Sequence, residues 1–203
     1  NIGLIYCRRG NYNLGLEYLT RSYKMSEAIE SARGMGMALT NIGDAYNDIG
    51  EYDTALDYSE SALEIFKNLS NTRDLCWSYS YIGIILYHQG KYIKAVNKLE
   101  KSHSIQKKIG LQEPRLVLLS TIYLNLCYKK LNKTYNMNEL NALINKTENA
   151  GSKRDYLLYQ LLENYSYLET AYTQLQEKAD KLEPDVAAKL LSYPIPSAIV
   201  EEW

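Results

Sequence analysis

Residues 41–55 read NIGDAYNDIGEYDTA. Ile42, Ala45, Tyr46 and Ile49 stand three and four apart, the interval that gathers side chains on one face of an α-helix. Ala38 and Leu39 carry the stripe back toward position 37, with Gly34 and Gly36 reading as a break before it. Gly50 ends the helix, because glycine tolerates the left-handed conformation that a helix C-cap needs. Asp53 then offers an N-cap. Ala55, Leu56, Tyr58, Ala62, Leu63 and Ile65 form a second stripe, which the tract Asn68-Leu69-Ser70-Asn71 breaks. The stretch is therefore a helix, a tight turn and a second helix.

The unit recurs. Asn1-Ile2-Gly3, Asn41-Ile42-Gly43 and Tyr81-Ile82-Gly83 are spaced by 40 residues. Gly10, Gly50 and Gly90 keep the phase, as do Tyr12, Tyr52 and Tyr92, then Gly15, Ala55 and Ala95, then Ser22, Ala62 and Ser102. Tyr6 and Tyr46 match, with Leu86 in their place in the third copy. A fourth copy is worn: Ile122, Leu126 and Ala142 hold the phase, but Tyr123 stands at the glycine position and Tyr135 at the alanine. A fifth fits through Leu158, Leu162, Ala171 and Leu175 if ~4 residues are dropped, and worn terminal copies are usual in repeat arrays. The same reading expects helices near 12–32, 73–89, 92–109, 113–131, 137–149, 153–166 and 169–182, and no strands. Glycine inside a helix costs about 0.5–1 kcal/mol relative to alanine, so its recurrence asks for a compensating gain. Close approach of the paired helices supplies one.

Gly43, Tyr46, Ala55 and Ala62, and after them Gly83, Leu86, Ala95 and Ser102, resemble the tetratricopeptide repeat (TPR) pattern across residues 1–182. The usual period is about 34 residues. The 40-residue form is similar to repeats of signalling scaffolds, kinesin light chains and peptide-sensing regulators. HEAT and armadillo arrays have periods of about 40–47 residues, but the Gly/Tyr/Ala/Ala spacing favours the TPR pattern over them. The resemblance implies an all-α fold: a right-handed superhelical solenoid of antiparallel helix pairs, about five repeats plus a C-terminal capping helix. The repeats are expected at 1–33, 34–72, 73–112, 113–151 and 152–182, with 183–203 as capping helix and tail.

The resemblance also implies a function. Family members hold a peptide or partner domain in a concave groove lined by the first helix of each repeat. By position, the first repeat contributes Asn1, Leu4, Cys7 and Arg8, and the second Met37, Thr40, Asn41, Asp44, Asn47 and Asp48. The third contributes Trp77, Ser80, Tyr81, Ile84, Tyr87 and His88, and the fourth Val117, Ser120, Thr121, Leu124 and Tyr128. In members with 40-residue repeats the Asn of the Asn-Ile-Gly triplet contacts the ligand's main chain. Asn1 and Asn41 match it, whereas Tyr81 and Thr121 depart from it. Chaperone-binding members hold a C-terminal carboxylate with cations at positions occupied here by Thr40, Asp44, Ser80 and Ile84, none of them basic. A charged ligand is expected instead to bring basic groups to the second repeat. Trp77, Tyr81 and Tyr87 are either partner anchors or packing against the neighbouring repeat.

Composition narrows the function classes. Net charge is −1 over 203 residues, so no global field draws the chain to nucleic acid or anionic membrane. Residues 101–150 carry net +5 and residues 151–203 net −4; the basic stretch offers a site for an acidic partner or RNA, but a solvated convex face is the favoured expectation. No run of apolar residues approaches a membrane span. Cys7, Cys76 and Cys127 fit buried free thiols and a cytoplasmic location. His88 and His103 lack ligand spacing to any Cys or His, and no phosphate loop or nucleophile elbow occurs. The expectation is a non-enzyme with no metal and no cofactor, whose partner is a protein or peptide. Many of the 20 tyrosines follow from repetition; Tyr12, Tyr52 and Tyr92 are expected to pack a ring at a turn with the hydroxyl in water. Pro184 starts a short capping helix over 184–193. Tyr193-Pro194-Ile195-Pro196 is then expected to forbid helix, leaving Ile199, Val200 and Trp203 as an apolar tail that folds back, forms a homodimer or leads into a further domain. The chain reads as a fragment. The alternative to a binding module is a regulatory or oligomerising arm of a larger signalling protein (sensor, cyclase or transcriptional regulator).

Overall fold

The computed structural model describes residues 2–110, 113–147 and 151–203. The chain divides into two compact units, Asn1–Leu111 and Gln112–Trp203. Among the described residues all regular structure is α-helix, and consecutive helices pack in pairs.

Unit 1 contains α1 (Ile2–Arg8), α2 (Tyr12–Ala28), α3 (Ala32–Ile49), α4 (Tyr52–Asn68), α5 (Thr72–His88) and α6 (Tyr92–Ile109). α1 packs on α2, α3 on α4 and α5 on α6, and each pair packs on the next. Gly50 is the left-handed C-cap of α3, with φ 92°. The pairs meet where expected. A Cβ on Gly3 would lie 2.7 Å from Leu19 Cγ, and one on Gly83 2.6 Å from Leu99 Cγ. In the second repeat the leucine is replaced by Ser59, whose Oγ would lie 2.6 Å from a Cβ on Gly43. The tyrosines at the next helical position stack on their partner helix: Tyr6 on Tyr18 at 5.5 Å and Tyr46 on Tyr58 at 5.6 Å between ring centres. Both members change together in the third repeat, to Leu86 and Lys98.

Two expectations about boundaries are corrected. α2 ends at Ala28, and Gly34 and Gly36 lie inside α3. The break comes earlier because Glu30 takes a left-handed φ of 54° and Ser31 Oγ accepts from the N–H of Gly34. Ser70 and Asn71 repeat this device before α5. Gly36 serves close approach: a Cβ there would sit 2.7 Å from the ring of Phe66, the single phenylalanine, which with Leu39 and Ala62 forms a buried cluster. Asp53 lies in the first turn of α4, whose cap position is Glu51, with no side-chain cap bond.

The same place in the third repeat is polar. Cys76, Ser102 and Gln106 stand where the second repeat has Gly36, Ala62 and Phe66. Ser102 Oγ donates to the carbonyl of Cys76 (2.9 Å), accepts from Gln106 Nε2 (3.1 Å) and lies 2.7 Å from Ser80 Oγ. A hydroxyl with one donor and two lone pairs satisfies these bonds when Ser80 donates to it. Burial pushes the Cys76 thiol upward in pKa, against the hydrogen bonds from Ser102 and Gln106.

Unit 2 contains α7 (Pro114–Lys130), α8 (Met137–Lys146), α9 (Ser152–Leu162), α10 (Tyr165–Ala179), α11 (Pro184–Leu191) and α12 (Pro194–Glu202). Tyr123, at the glycine position of α7, is fully buried. α7 packs on both α8 and α9; α8 is short, with Leu140 its fully buried residue. Lys129 Nζ donates to the carbonyls of Gln160 (2.9 Å) and Leu161 (3.2 Å) at the end of α9 and pairs with Glu163 at 2.7 Å. That bond holds the Glu163 carboxyl below its ordinary pKa. Asp155 is wholly buried and accepts from Arg154 Nε at 2.8 Å and Gln174 Nε2 at 3.0 Å. α10 begins at Tyr165, capped by Asn164 after a left-handed Glu163, not near 169.

The tail is a further correction. Residues 194–202 are helical. Pro194 and Pro196 fall in the first turn, where the missing N–H groups have no intrahelical partner to lose. α12 packs on α9, α10 and α11. Ile199 is fully buried and Trp203 stacks on Tyr172 and Tyr165 at 5.0 and 5.8 Å.

Candidate functional site

The first helices of the second and third repeats, α3 and α5, pack side by side. The N-cap Ser31 and the left-handed Glu30 set where α3 starts, and Gly43 lets α4 approach its back. What remains open on α3 is a narrow face. Met37 is exposed, and Asn41, Asp44 and Asp48 are half-buried. On α5, Trp77, Tyr81, Tyr87 and His88 are half-buried. The Trp77 and Tyr81 rings stack at 6.2 Å, so these aromatics pack on each other while each keeps part of its surface.

Charge on this face is negative. Tyr12, the first residue of α2, donates its hydroxyl to Asp48 Oδ2 at 3.2 Å. Its phenol is held well above the ordinary pKa, first by burial and then by the Asp48 and Asp44 carboxylates. This corrects the expectation of a hydroxyl in water: the ring is buried and the oxygen meets a carboxylate. Tyr52 occupies the matching place one repeat on, stacked on His88 at 5.3 Å, while Tyr87 meets the same imidazole edge-on at 5.4 Å. Asp48 and His88 thus belong to joints between successive repeats as well as to the candidate face.

Several groove residues inferred from sequence lie inside the protein. Thr40 is buried and donates to the carbonyl of Gly36 at 3.0 Å. Asn47 is 4% exposed, and its Oδ1 has no hydrogen-bond partner. Ile84, Ser80 and Cys7 are also buried. Arg8 is exposed at the end of α1, Leu4 is half-buried, and Asn1 lies outside the described residues. On α7, within unit 2, Ser120, Thr121 and Leu124 are buried and Val117 and Tyr128 half-buried. Of the expected residues, Asn41, Asp44, Asp48, Trp77 and Tyr81 thus keep partly open positions on unit 1. Tyr12, which shapes the acidic end, was not assigned from the sequence; its 36-residue offset from Asp48, repeated by Tyr52 and His88, was the available signal.

Among the described residues no three His, Cys, Asp or Glu come together to hold a metal ion. No described helix is long and apolar enough to cross a membrane. The family model for the tetratricopeptide repeat matches residues 1–68 and 34–108. The chain belongs to the TPR family. TPR repeats in general mediate protein–protein interaction as non-catalytic scaffolds. A solved structure from Podosopora anserina, described as "kinesin light chain nearly identical TPR-like repeats", is similar in fold, with a TM-score of 0.57 at 17% identity over 99% of this chain and 92% of that one. No curated protein matches this TPR chain.

Proposed function

We propose that this TPR chain is a cytoplasmic protein-binding module whose α3–α5 face holds a peptide or partner segment carrying basic groups, without catalysis. The observation that carries the reading is the acidic, half-open end of α3, where Asp48 accepts the Tyr12 hydroxyl and, after burial, the Asp48 and Asp44 carboxylates push that phenol's pKa up. A ligand ammonium or guanidinium meets these carboxylates, Asn41 offers its amide to the ligand main chain, and Trp77 and Tyr81 supply apolar surface beside them.

The test is selection from a random-sequence peptide display library on the wild-type chain. The expected result is enrichment of Lys- or Arg-containing peptides. These should weaken with added salt and lose affinity when Asp44→Asn and Asp48→Asn are introduced together, at unchanged helicity. Selected peptides that lack basic residues, or that bind the double variant equally, would refute the assignment.

A further inference from the structure

Two helices of unit 1 carry exposed charge of opposite sign on similar spacings. Along α4, Asp53, Asp57, Glu60 and Glu64 follow at steps of four, three and four, and all are exposed. At about 100° per residue they fall within an arc of about 60°, away from Ala55, Ala62 and Phe66, which are buried. Along α6, Lys94, Lys98, Lys101 and Lys108 follow at steps of four, three and seven, within an arc of about 80°. Lys98 is half-buried and the others are exposed. Lys98 and Lys101 lie over the Tyr79 ring, their Nζ atoms 5.7 and 4.5 Å from its centre, which fixes the middle of the stripe. Among the described residues none of these eight side chains is in an ion pair. Asp53 accepts one hydrogen bond, from Gln89 Nε2.

The stripes are not a by-product of the repeat. At the places matching the four acids α2 has Asn13, Glu17, Thr20 and Lys24, and at those matching the lysines Leu14, Tyr18, Arg21 and Ala28. Only Glu17 keeps the acid and only Arg21 keeps the base, so α2 lacks the concentration of like charge found on α4 and α6.

We propose that this chain associates with a second copy of itself, the acidic stripe of α4 on each molecule meeting the lysine stripe of α6 on the other. Both stripes share the four–three step, so two helices laid alongside bring carboxylates opposite ammonium groups over about three turns. The exchange is reciprocal, so one twofold axis satisfies all four stripes and the contact closes at a dimer. A net charge of −1 leaves no long-range repulsion between copies. Exposed ion pairs are individually weak and salt-screened, so the dimer is a low-salt species. The lysine stripe has no arginine or exposed aromatic to stack on bases, as a single-stranded nucleic acid site would. An anionic lipid surface would leave the α4 carboxylates unmatched.

The test is sedimentation velocity of the full chain at ~100 μM in low salt, ~20 mM, and high salt, ~500 mM, which straddle the change in screening length. Two charge reversals are compared, Lys94→Glu/Lys98→Glu/Lys101→Glu and Asp57→Lys/Glu60→Lys/Glu64→Lys, each checked for wild-type helicity. The wild type is expected at dimer mass in low salt and monomer mass in high salt. Each reversal alone is expected to be a monomer in low salt. Their equimolar mixture should return to dimer mass, because each new acidic α6 then faces a new basic α4. Should a reversal lose helicity, the neutral set Lys94→Gln/Lys98→Gln/Lys101→Gln replaces it and is expected to be monomeric in low salt. A wild type that stays monomeric in low salt, a dimer that survives either reversal or the neutral set, a mixture that stays monomeric, or masses above a dimer would each overturn the proposal.

Discussion

Gly83→Ala tests the helix pairing directly. The added Cβ would lie 2.6 Å from Leu99 Cγ, 2.9 Å from Leu99 Cδ2 and 3.3 Å from the carbonyl oxygen of Ala95. Carbon atoms are at their optimum separation at about 3.5–4.0 Å, so Leu99 would have to retreat by roughly 1 Å. It has little freedom to do so, being 0% exposed and struck at its branch point rather than at its tip. Overpacking of this kind typically costs about 1–3 kcal/mol. Alanine returns about 0.5–1 kcal/mol of helix preference. At the middle of these ranges the expected net loss is about 1 kcal/mol, read as a lower urea midpoint by far-UV circular dichroism with an unchanged slope. Leu99→Ala alone should cost about 2–5 kcal/mol. In the double variant the new methyl fills part of the space left by Leu99, so the combined loss should be smaller than the sum. Wild-type or higher stability for Gly83→Ala, or strict additivity with Leu99→Ala, would refute the packing described for α5 and α6.

Three further outcomes follow from local geometry. Ser70→Gly should stabilise the chain by about 0.5–1 kcal/mol, because serine at φ 52° pays the left-handed penalty that the third repeat avoids with Gly110 at φ 60°; the same urea titration reads it. Ser102→Ala installs the residue the second repeat uses but strips Ser80 and Gln106 of their shared partner, and should cost about 1–3 kcal/mol, whereas Ser102→Thr, which keeps the hydroxyl, should cost less. Alkali should weaken unit 2: burial pushes the Cys127 thiol from 9.0 up to about 12. The unfolded chain thus loses this proton first, and the contribution, whole below pH 9, falls away as pH rises through about 12. Cys127→Ala should show a shallower decline of the urea midpoint with pH, and an equal decline would exclude the thiol as its source.

Much of the fold was legible because the deciding residues obey hard constraints. Gly50 must bend, and Gly43 and Gly83 must let a helix pass close by. Both tasks favour glycine, the first by its backbone freedom and the second by its missing side chain, so the signal recurs every 40 residues. Of the turns between repeats, the first was misplaced, while those at Ser70 and Gly110 fell where expected. Their left-handed position is filled by Glu30, then Ser70, then Gly110, which share a conformation but no side-chain chemistry. The constant feature is the polar cap that follows, Ser31 and Asn71, and two bright glycines nearby, Gly34 and Gly36, drew the boundary to themselves. Residues 194–202 were misread because proline was weighed as a breaker regardless of its place in the first turn. On the candidate face, carrying positions over from the family pattern overcounted the open residues. α3 touches α2, α4 and α5 at once, so residues such as Thr40 and Asn47 that fall near the stripe's margin are inside the protein.

The joints between repeats have a consequence for shuffling. The tyrosine that opens the second helix of one repeat reads the last turn of the next repeat's first helix: Tyr12 finds a carboxylate in Asp48, and Tyr52 finds a ring in His88. The backbone unit is interchangeable, but these contacts are not. Transposing the second and third repeats would set a phenol hydroxyl against an imidazole face at the first joint. Each repeat therefore carries the address of its neighbour, and the order of the array is written in the side chains of its seams.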